Sequence, residues 1–198
     1  LLRRPYLFQM DPASTYELLR NLTTPVVAIT SARNGKLNGM ISDGAVRCSI
    51  VPDVPRVLVQ INAFHLTHEI VRETGRFALH VLHADQVDLV TRLGFASGRD
   101  ADKLAEVPHR LGATGCPILE DCYAWFDCTV INHMETGIST VFLGQAMDVG
   151  RGRGDELLTP ARLRAALRPE YLDQYVRQLA EAQTKARPLA WQFKPMAD

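Results

Sequence analysis

An excess of charge of either sign is missing from this 198-residue chain: 22 Lys and Arg balance 22 Asp and Glu. Such neutrality leaves neither the basic stripe of a nucleic-acid binder nor an acidic tail. Also missing is any apolar run near the length of about 18 residues that marks a membrane span. The opening LLRRPYLFQMDP carries two arginines with no apolar core of a secretion signal behind them. The expectation is a cytoplasmic protein with no membrane and no nucleic-acid partner. Cysteine is scarce, and Cys48, Cys116, Cys122 and Cys128 show no C-x2-C pairing, so buried free thiols are expected rather than zinc ligands or disulfides. The absence of a G-x-S-x-G elbow argues against a serine hydrolase. No glycine-rich loop leads from strand into helix, which argues against P-loop and dinucleotide-binding folds. His65 and His68 lie three apart across a helix start. His80 and His83 share a strand, where odd spacing sends them to opposite faces; no metal is expected at either pair.

What is present is the composition of a folded domain, with 46% hydrophobic and 22% charged residues, long enough for one domain or one with an appendage. Ser14-Thr15-Tyr16-Glu17 reads as the capping box of a short helix. The β-branched PVVAITS, 25–31, meets a strong hairpin signal at Asn34-Gly35, which makes LNGMISDGAVRCSI, 37–50, the return strand. RVLVQIN, 56–62, reads as a third strand buried on both sides. A short helix follows, with Thr67 as N-cap and Gly75 as stop. RFALHVLH, 76–83, is a fourth strand, and Asp85 caps a helix carrying Val87, Val90 and Leu93 on one face. Residues 96–114 read as a surface loop. CYAWFDCTVIN, 122–132, and STVFLGQAMDV, 139–149, form a last hairpin across Glu135-Thr136-Gly137. From Arg151 the composition shifts: Thr159-Pro160 and Pro169 open two helices, the second with a stripe of Leu172, Tyr175, Val176 and Leu179. That stripe must bury against the barrel or a second subunit. The division expected is a sheet domain over 1–150 and a helical extension over 151–198.

The return strand holds two glycines and two serines where a core strand wants bulk. Small residues let a flat ligand approach main-chain N–H and C=O groups. The helix start at Thr67 offers N–H groups and a hydroxyl to an anion, and Arg99 and Lys103 in the SGRDADK loop add charge. A flat ring with a phosphate tail fits; a bulged strand beside a capped helix fits the same residues.

The blocks VVAIT, NGKLNGMI, CSIVPDVPRVLVQIN, THEIVRETGRFALHVL, LGFASGRDADK, TGCPILEDCYAWFDCTV and GISTVFLGQ stand, from about Pro25 to Val149, in an order that resembles the flavin reductase-like family of FMN-binding split β-barrels. The resemblance implies a mainly β fold, a six-stranded antiparallel Greek-key split barrel with flanking helices, assembled as a homodimer with FMN near the interface. It implies an FMN-dependent oxidoreductase taking hydride from NADH or NADPH, with a partner monooxygenase or other electron acceptor. The alternatives are an FMN-binding electron-transfer protein or carrier without its own NAD(P)H site, and a barrel that has lost flavin. By the same resemblance the ring lies along Asn38, Gly39, Met40, Ile41 and Ser42 and along Arg47, Cys48 and Ser49. The phosphate lies in the turn of Asn62, His65, Thr67 and His68, with Arg99 and Lys103 close by; no catalytic acid or base is implied. Three departures stand out. Ile41 occupies a position where many relatives have Thr. Ala63 and His65 replace Lys and Asn of the phosphate turn. Gly137-Ile138-Ser139-Thr140 replaces Gly-Asp-His-Thr.

Overall fold

Residues 11–190 are described by a computed structural model; the opening LLRRPYLFQM and residues 191–198 of the extension lie outside the described residues. Period-two sequence becomes a seven-stranded antiparallel sheet in the order β2-β1-β5-β8-β9-β4-β3, with a separate two-stranded ribbon β6-β7. The strands are β1 (Val27–Arg33), β2 (Lys36–Ser42), β3 (Ala45–Arg47), β4 (Arg56–Asn62), β5 (Arg76–Val81), β6 (His109–Leu111), β7 (Pro117–Leu119), β8 (Ala124–Glu135) and β9 (Ser139–Arg151). The helices are α1 (Pro12–Leu19), α2 (Leu66–Thr74), α3 (Val87–Gly94), α4 (Pro160–Ala166) and α5 (Pro169–Ala186). Among these helices none is long and apolar enough to cross a membrane.

The β1–β2 hairpin forms where Asn34-Gly35 places it: both residues have positive φ, 52° and 75°, and Arg33 pairs with Lys36 across them. That geometry matches strand twist and is cheap only for such residues. The stretch 37–50 is not one return strand. It breaks at Asp43-Gly44, and its halves β2 and β3 become the two edges of the seven-stranded sheet. Ser42 Oγ accepts from the Gly44 N–H at 3.0 Å, and the Gly44 carbonyl accepts from Gln60 N–H, so the chain switches edges instead of continuing straight.

The sheet is buried on two faces. Val27, Ile29, Met40, Val57, Val59, Ile61, Phe77 and Phe142 fill the interior. Val26, Ala28, Val90, Leu93, Leu104 and Leu158 make a second layer beneath the helices. β1 therefore serves both layers and is buried without interruption from Val27 to Ser31, whereas β4 alternates buried and exposed positions and is covered on one face only, contrary to the two-sided burial its composition suggested.

Helix starts differ from their sequence signals. α1 is capped by Asp11, which accepts from the Ser14 backbone and hydroxyl, while Glu17 pairs with Arg20. The N-cap of α3 is Gln86, not Asp85, because the Gln86 side chain holds the Asp121 carbonyl and the His83 N–H. α4 begins as expected, with Thr159 Oγ1 accepting from Arg162 N–H at 3.2 Å. The segment before it is stitched into the barrel: Val26 N–H donates to Leu158 O and Leu158 N–H to Leu82 O, and Arg153 pairs with Asp121. Along α5 no residue is fully buried; Leu172, Tyr175 and Val176 line a cavity of about 380 Å³ shared with Tyr16, Ile41 and Ser42.

Candidate functional site

Thr67 is not the N-cap of α2. His65 holds that position without a side-chain cap bond, and Thr67, 1% exposed, turns its hydroxyl inward to accept from Asn38 Nδ2 at 2.8 Å. A residue in the first helical turn faces the sheet when its side chain has a partner there, and β2 supplies one. The remaining amide atom, Asn38 Oδ1, is buried without a hydrogen-bond partner; among the described residues only Ser31 Oγ shares that condition. Gly98 lies directly against it, so that any Cβ at residue 98 would collide with the amide oxygen. The 97–103 loop can thus close over Asn38 only through a glycine, and it brings Arg99 and Lys103 with it.

The loop is not the surface feature its polarity suggested. Lys103 is 8% exposed and donates from Nζ to Leu93 O at 2.8 Å; burial pulls its ammonium down to about 8. Arg99 pairs with Glu69 and reaches Phe64 O. Both lie close enough to His65 to hold it neutral: burial first, then the charges of Lys103, Arg99, His68 and Lys185, lower its pKa to about 4. This turn has more cations than carboxylates, at the N-terminus of a nine-residue helix whose first N–H groups have no intrahelical partner. Asn62 ends β4, and its carbonyl accepts from His65 N–H at 3.1 Å. His68 turns away. Its Nε2 meets Thr140 Oγ1 at 2.7 Å and its ring lies against Phe142, so it belongs to the barrel end rather than to the turn.

Along β2 the small residues do not leave an open wall. The space above Gly39 is filled by Leu93 and Leu104, with the nearest leucine carbon 3.3 Å from where a Cβ would be. Met40 is in the barrel core, and Ile41 packs on the outer layer. What β2 still offers is its edge. It pairs only with β1, and an edge strand presents unpaired N–H and C=O groups. Arg47 and Ser49 lie on or beside the opposite edge strand β3 and line a cavity of about 460 Å³ at the barrel mouth, with Val27, Val57, Leu79 and Phe126. Cys48 is exposed, unlike the other three cysteines, and all four are free thiols. The structure therefore gathers Asn38, His65, Thr67, Arg99 and Lys103 into one cluster, places Arg47 and Ser49 at a separate cavity, and assigns Met40 and His68 to packing.

At the last hairpin, Ser139 is fully buried. Its hydroxyl accepts from Gln60 Nε2 at 2.9 Å and meets Thr136 Oγ1 at 2.7 Å. The tip is covered by the chain beyond α5: a Cβ at Gly137 would lie 2.6 Å from Leu189 O. Sequence reasoning missed this cover, because α5 carries no signal beyond its apolar stripe.

Comparison with known proteins agrees with this architecture. A ferric-chelate reductase (NAD(P)H) of Archaeoglobus fulgidus is 28% identical over 154 residues, 77% of this chain and 88% of that protein. A high molecular weight rubredoxin of Moorella thermoacetica is 30% identical over 132 residues, 66% of this chain but only 57% of that protein. A reductase subunit of a flavin-dependent monooxygenase from Mycobacterium tuberculosis is 28% identical over 136 residues, covering 69% and 70%. The crystal structure of an FMN-binding protein from Thermus thermophilus superposes with a TM-score of 0.65 at 27% identity, covering 77% of this chain and 82% of that one. Residues 19–165 match the model of the flavin reductase like domain, strands, helices α2 and α3 and SGRDADK loop included, and the chain belongs to that family.

Proposed function

We propose that this chain binds FMN and acts as an NAD(P)H-dependent flavin reductase. The observation that carries the reading is the cluster at the start of α2: a buried amide oxygen without a partner on Asn38, bonded through its other atom to Thr67, beneath a loop that brings Arg99 and Lys103 to a helix N-terminus. An anion with hydroxyl groups attached answers both needs, and a ribityl phosphate is such a group. When bound, FMN supplies the ring that takes a hydride from NADH or NADPH. The protein's share is positional. The edge groups of β2 meet the polar rim of a flat ring, the α2 turn holds the phosphate, and Lys103, mostly protonated at neutral pH, balances its charge.

The relative named as a ferric-chelate reductase (NAD(P)H) supports a nicotinamide donor, and the one named as the reductase subunit of a flavin-dependent monooxygenase supports a partner monooxygenase as electron acceptor. A cytoplasmic location accords with four unpaired thiols. Val46, Ile50, Val51 and Val54 are exposed around β3, an apolar rim that supports a homodimer with this edge covered.

A second reading, an FMN carrier without its own NAD(P)H site, is favoured by one observation: the hairpin tip is occupied from inside by the Ser139, Gln60 and Thr136 network and from outside by Leu189. Mixing the purified protein with FMN, then following NADH and NADPH oxidation under oxygen, tests both. Quenched FMN fluorescence with nicotinamide turnover is the expected result; quenching without turnover leaves the carrier, and no quenching removes both.

A further inference from the structure

At the turn end of the β1–β2 hairpin the chain gathers cations without matching acids. A cavity of about 550 Å³ opens there between the hairpin and the β6–β7 ribbon, and Arg33, Arg76, His109 and Arg110 line it; no carboxylate does among the described residues. Arg33 pairs with Glu73 at 2.7 Å. Arg76 donates to carbonyls only, to Thr114 O at 2.8 Å and Thr74 O at 3.4 Å. Arg110 lies over the Trp125 ring, 4.8 Å from its centroid, which holds the guanidinium flat. Neither Arg76 nor Arg110 has an acidic partner among the described residues. Asp127, buried behind Thr114, is engaged by the Thr114 N–H at 2.9 Å and by its hydroxyl. Like charges held in one concavity repel one another unless something answers them, and the chain as a whole has as many acids as bases.

This group is separate from the cluster around Asn38 and His65. Arg33 meets Glu73 at the C-terminal end of α2, whereas His65 caps its start, and from His65 to Glu73 a helix advances about 12 Å. The cavity is larger than a bare anion needs and is of small-molecule size, and Leu37 and Leu111 give it an apolar wall. Two guanidiniums without acids call for more than one negative charge and for oxygens that meet a planar fork of donors, which a phosphate supplies and a single carboxylate supplies only in part. We propose that this cavity binds a small phosphate-bearing molecule, held by Arg76 and Arg110 with Arg33 beside them, and that it does so independently of flavin.

Titration calorimetry on the full chain tests this with pyrophosphate, ADP and adenosine as probes, each with and without saturating FMN. ADP and pyrophosphate are expected to bind one per chain in both conditions, and adenosine to bind at least tenfold more weakly than ADP. ADP binding tighter than pyrophosphate identifies a nucleotide as the occupant; equal affinities identify the phosphate group alone as what the arginines read. Arg110→Gln should weaken ADP at least tenfold with the unfolding midpoint unchanged, since the Arg110 side chain touches Trp125 without a hydrogen bond among the described residues. Arg76→Gln should do the same, whereas Arg177→Gln, an equal charge change at an exposed position on α5, should match wild type. No binding of either phosphate probe overturns the proposal. So does an ADP affinity that Arg110→Gln leaves unaltered, or that Arg177→Gln lowers equally. Binding of ADP that FMN abolishes also overturns it, because the anion would then sit in the cluster at the start of α2. A chain that binds ADP but no FMN leaves this site standing and removes the flavin reading instead.

Discussion

Asn38 on β2 and Thr67 in the first turn of α2 are joined by a buried 2.8 Å hydrogen bond, and this bond ties the start of the helix to the sheet edge. Removing one partner strands the other, at a cost of about 1–3 kcal/mol. Thr67→Val and Asn38→Ala should each destabilise by that amount in urea unfolding. The double variant should cost less than the sum, with a coupling of about 1 kcal/mol. Strict additivity would mean that the bond contributes nothing. FMN affinity should drop more than tenfold in Asn38→Ala, since the free amide oxygen goes with the side chain.

Lys103 gives the pH dependence of binding. Burial lowers its ammonium pKa to about 8, so the cation is present at pH 7 and lost as pH rises through 8. FMN affinity should therefore fall above pH 8, by up to about tenfold per pH unit. For the unliganded protein the sign is opposite: the unfolded chain binds more protons between about 8 and the usual lysine range, and this group's contribution to stability rises with pH. Lys103→Arg keeps its charge and should flatten the binding profile measured by quenching; an unchanged slope would remove Lys103 from the phosphate site.

His80 contributes to the acid limb of stability. Its Nε2 accepts from Leu119 N–H at 3.1 Å, its Nδ1 lies 3.3 Å from Ala28 O, and burial lowers its pKa to about 4. The neutral ring is the folded form. Unfolded chains protonate near 6.5, so stability is full above that value and is lost as pH falls toward 4, by on the order of 3 kcal/mol. His65 adds in the same direction. The slope of unfolding free energy between pH 6.5 and 4 should be shallower in His80→Gln than in wild type.

Cysteine chemistry separates the edge site from the core. Burial raises Cys122 to about 11 and Cys128 to about 12, and raises Cys116 as well, which leaves thiols with almost no thiolate at neutral pH. Only Cys48 is exposed. One equivalent of a thiol reagent should react quickly with the native protein and three more only after denaturation. If the Arg47 to Ser49 segment borders the flavin, saturating FMN should slow that first equivalent. Equal rates with and without FMN would place the segment outside the site.

Hairpins and helix stripes were legible because they depend on residues near one another: Asn34-Gly35 with its positive φ values, Thr159-Pro160, and the Val90 and Leu93 face of α3. The division of 37–50 into two opposite sheet edges was not, since it follows from Gly44 bonding to Gln60, a partner sixteen positions away that nothing local announces. Thr67 looked like a cap because hydroxyls at helix starts usually are caps; its real partner is fixed by β2 packing under α2. Gly98 was overlooked in a polar loop, although its lack of a side chain is what lets the loop reach Asn38.

Ser139 is where the chain departs from the Gly-Asp-His-Thr pattern, and the structure changes what a repair would do. The side chain has no room around it: fully buried, it is held between Gln60 Nε2 and Thr136 Oγ1, and the Ser139 N–H donates back to Thr136 Oγ1 at 3.2 Å. An imidazole at this position must expel one of those partners or open the hairpin tip that Leu189 covers. Ser139→His should therefore destabilise by about 2 kcal/mol or more through overpacking and a stranded amide, and Ser139→Ala by about 1–2 kcal/mol through the lost hydroxyl bonds to Gln60 and Thr136. Nicotinamide oxidation is not expected to improve in either. Should Ser139→His instead raise turnover with its melting temperature unchanged, the hairpin tip must open readily, and α5 with its terminal turn would be a movable cover rather than a fixed wall.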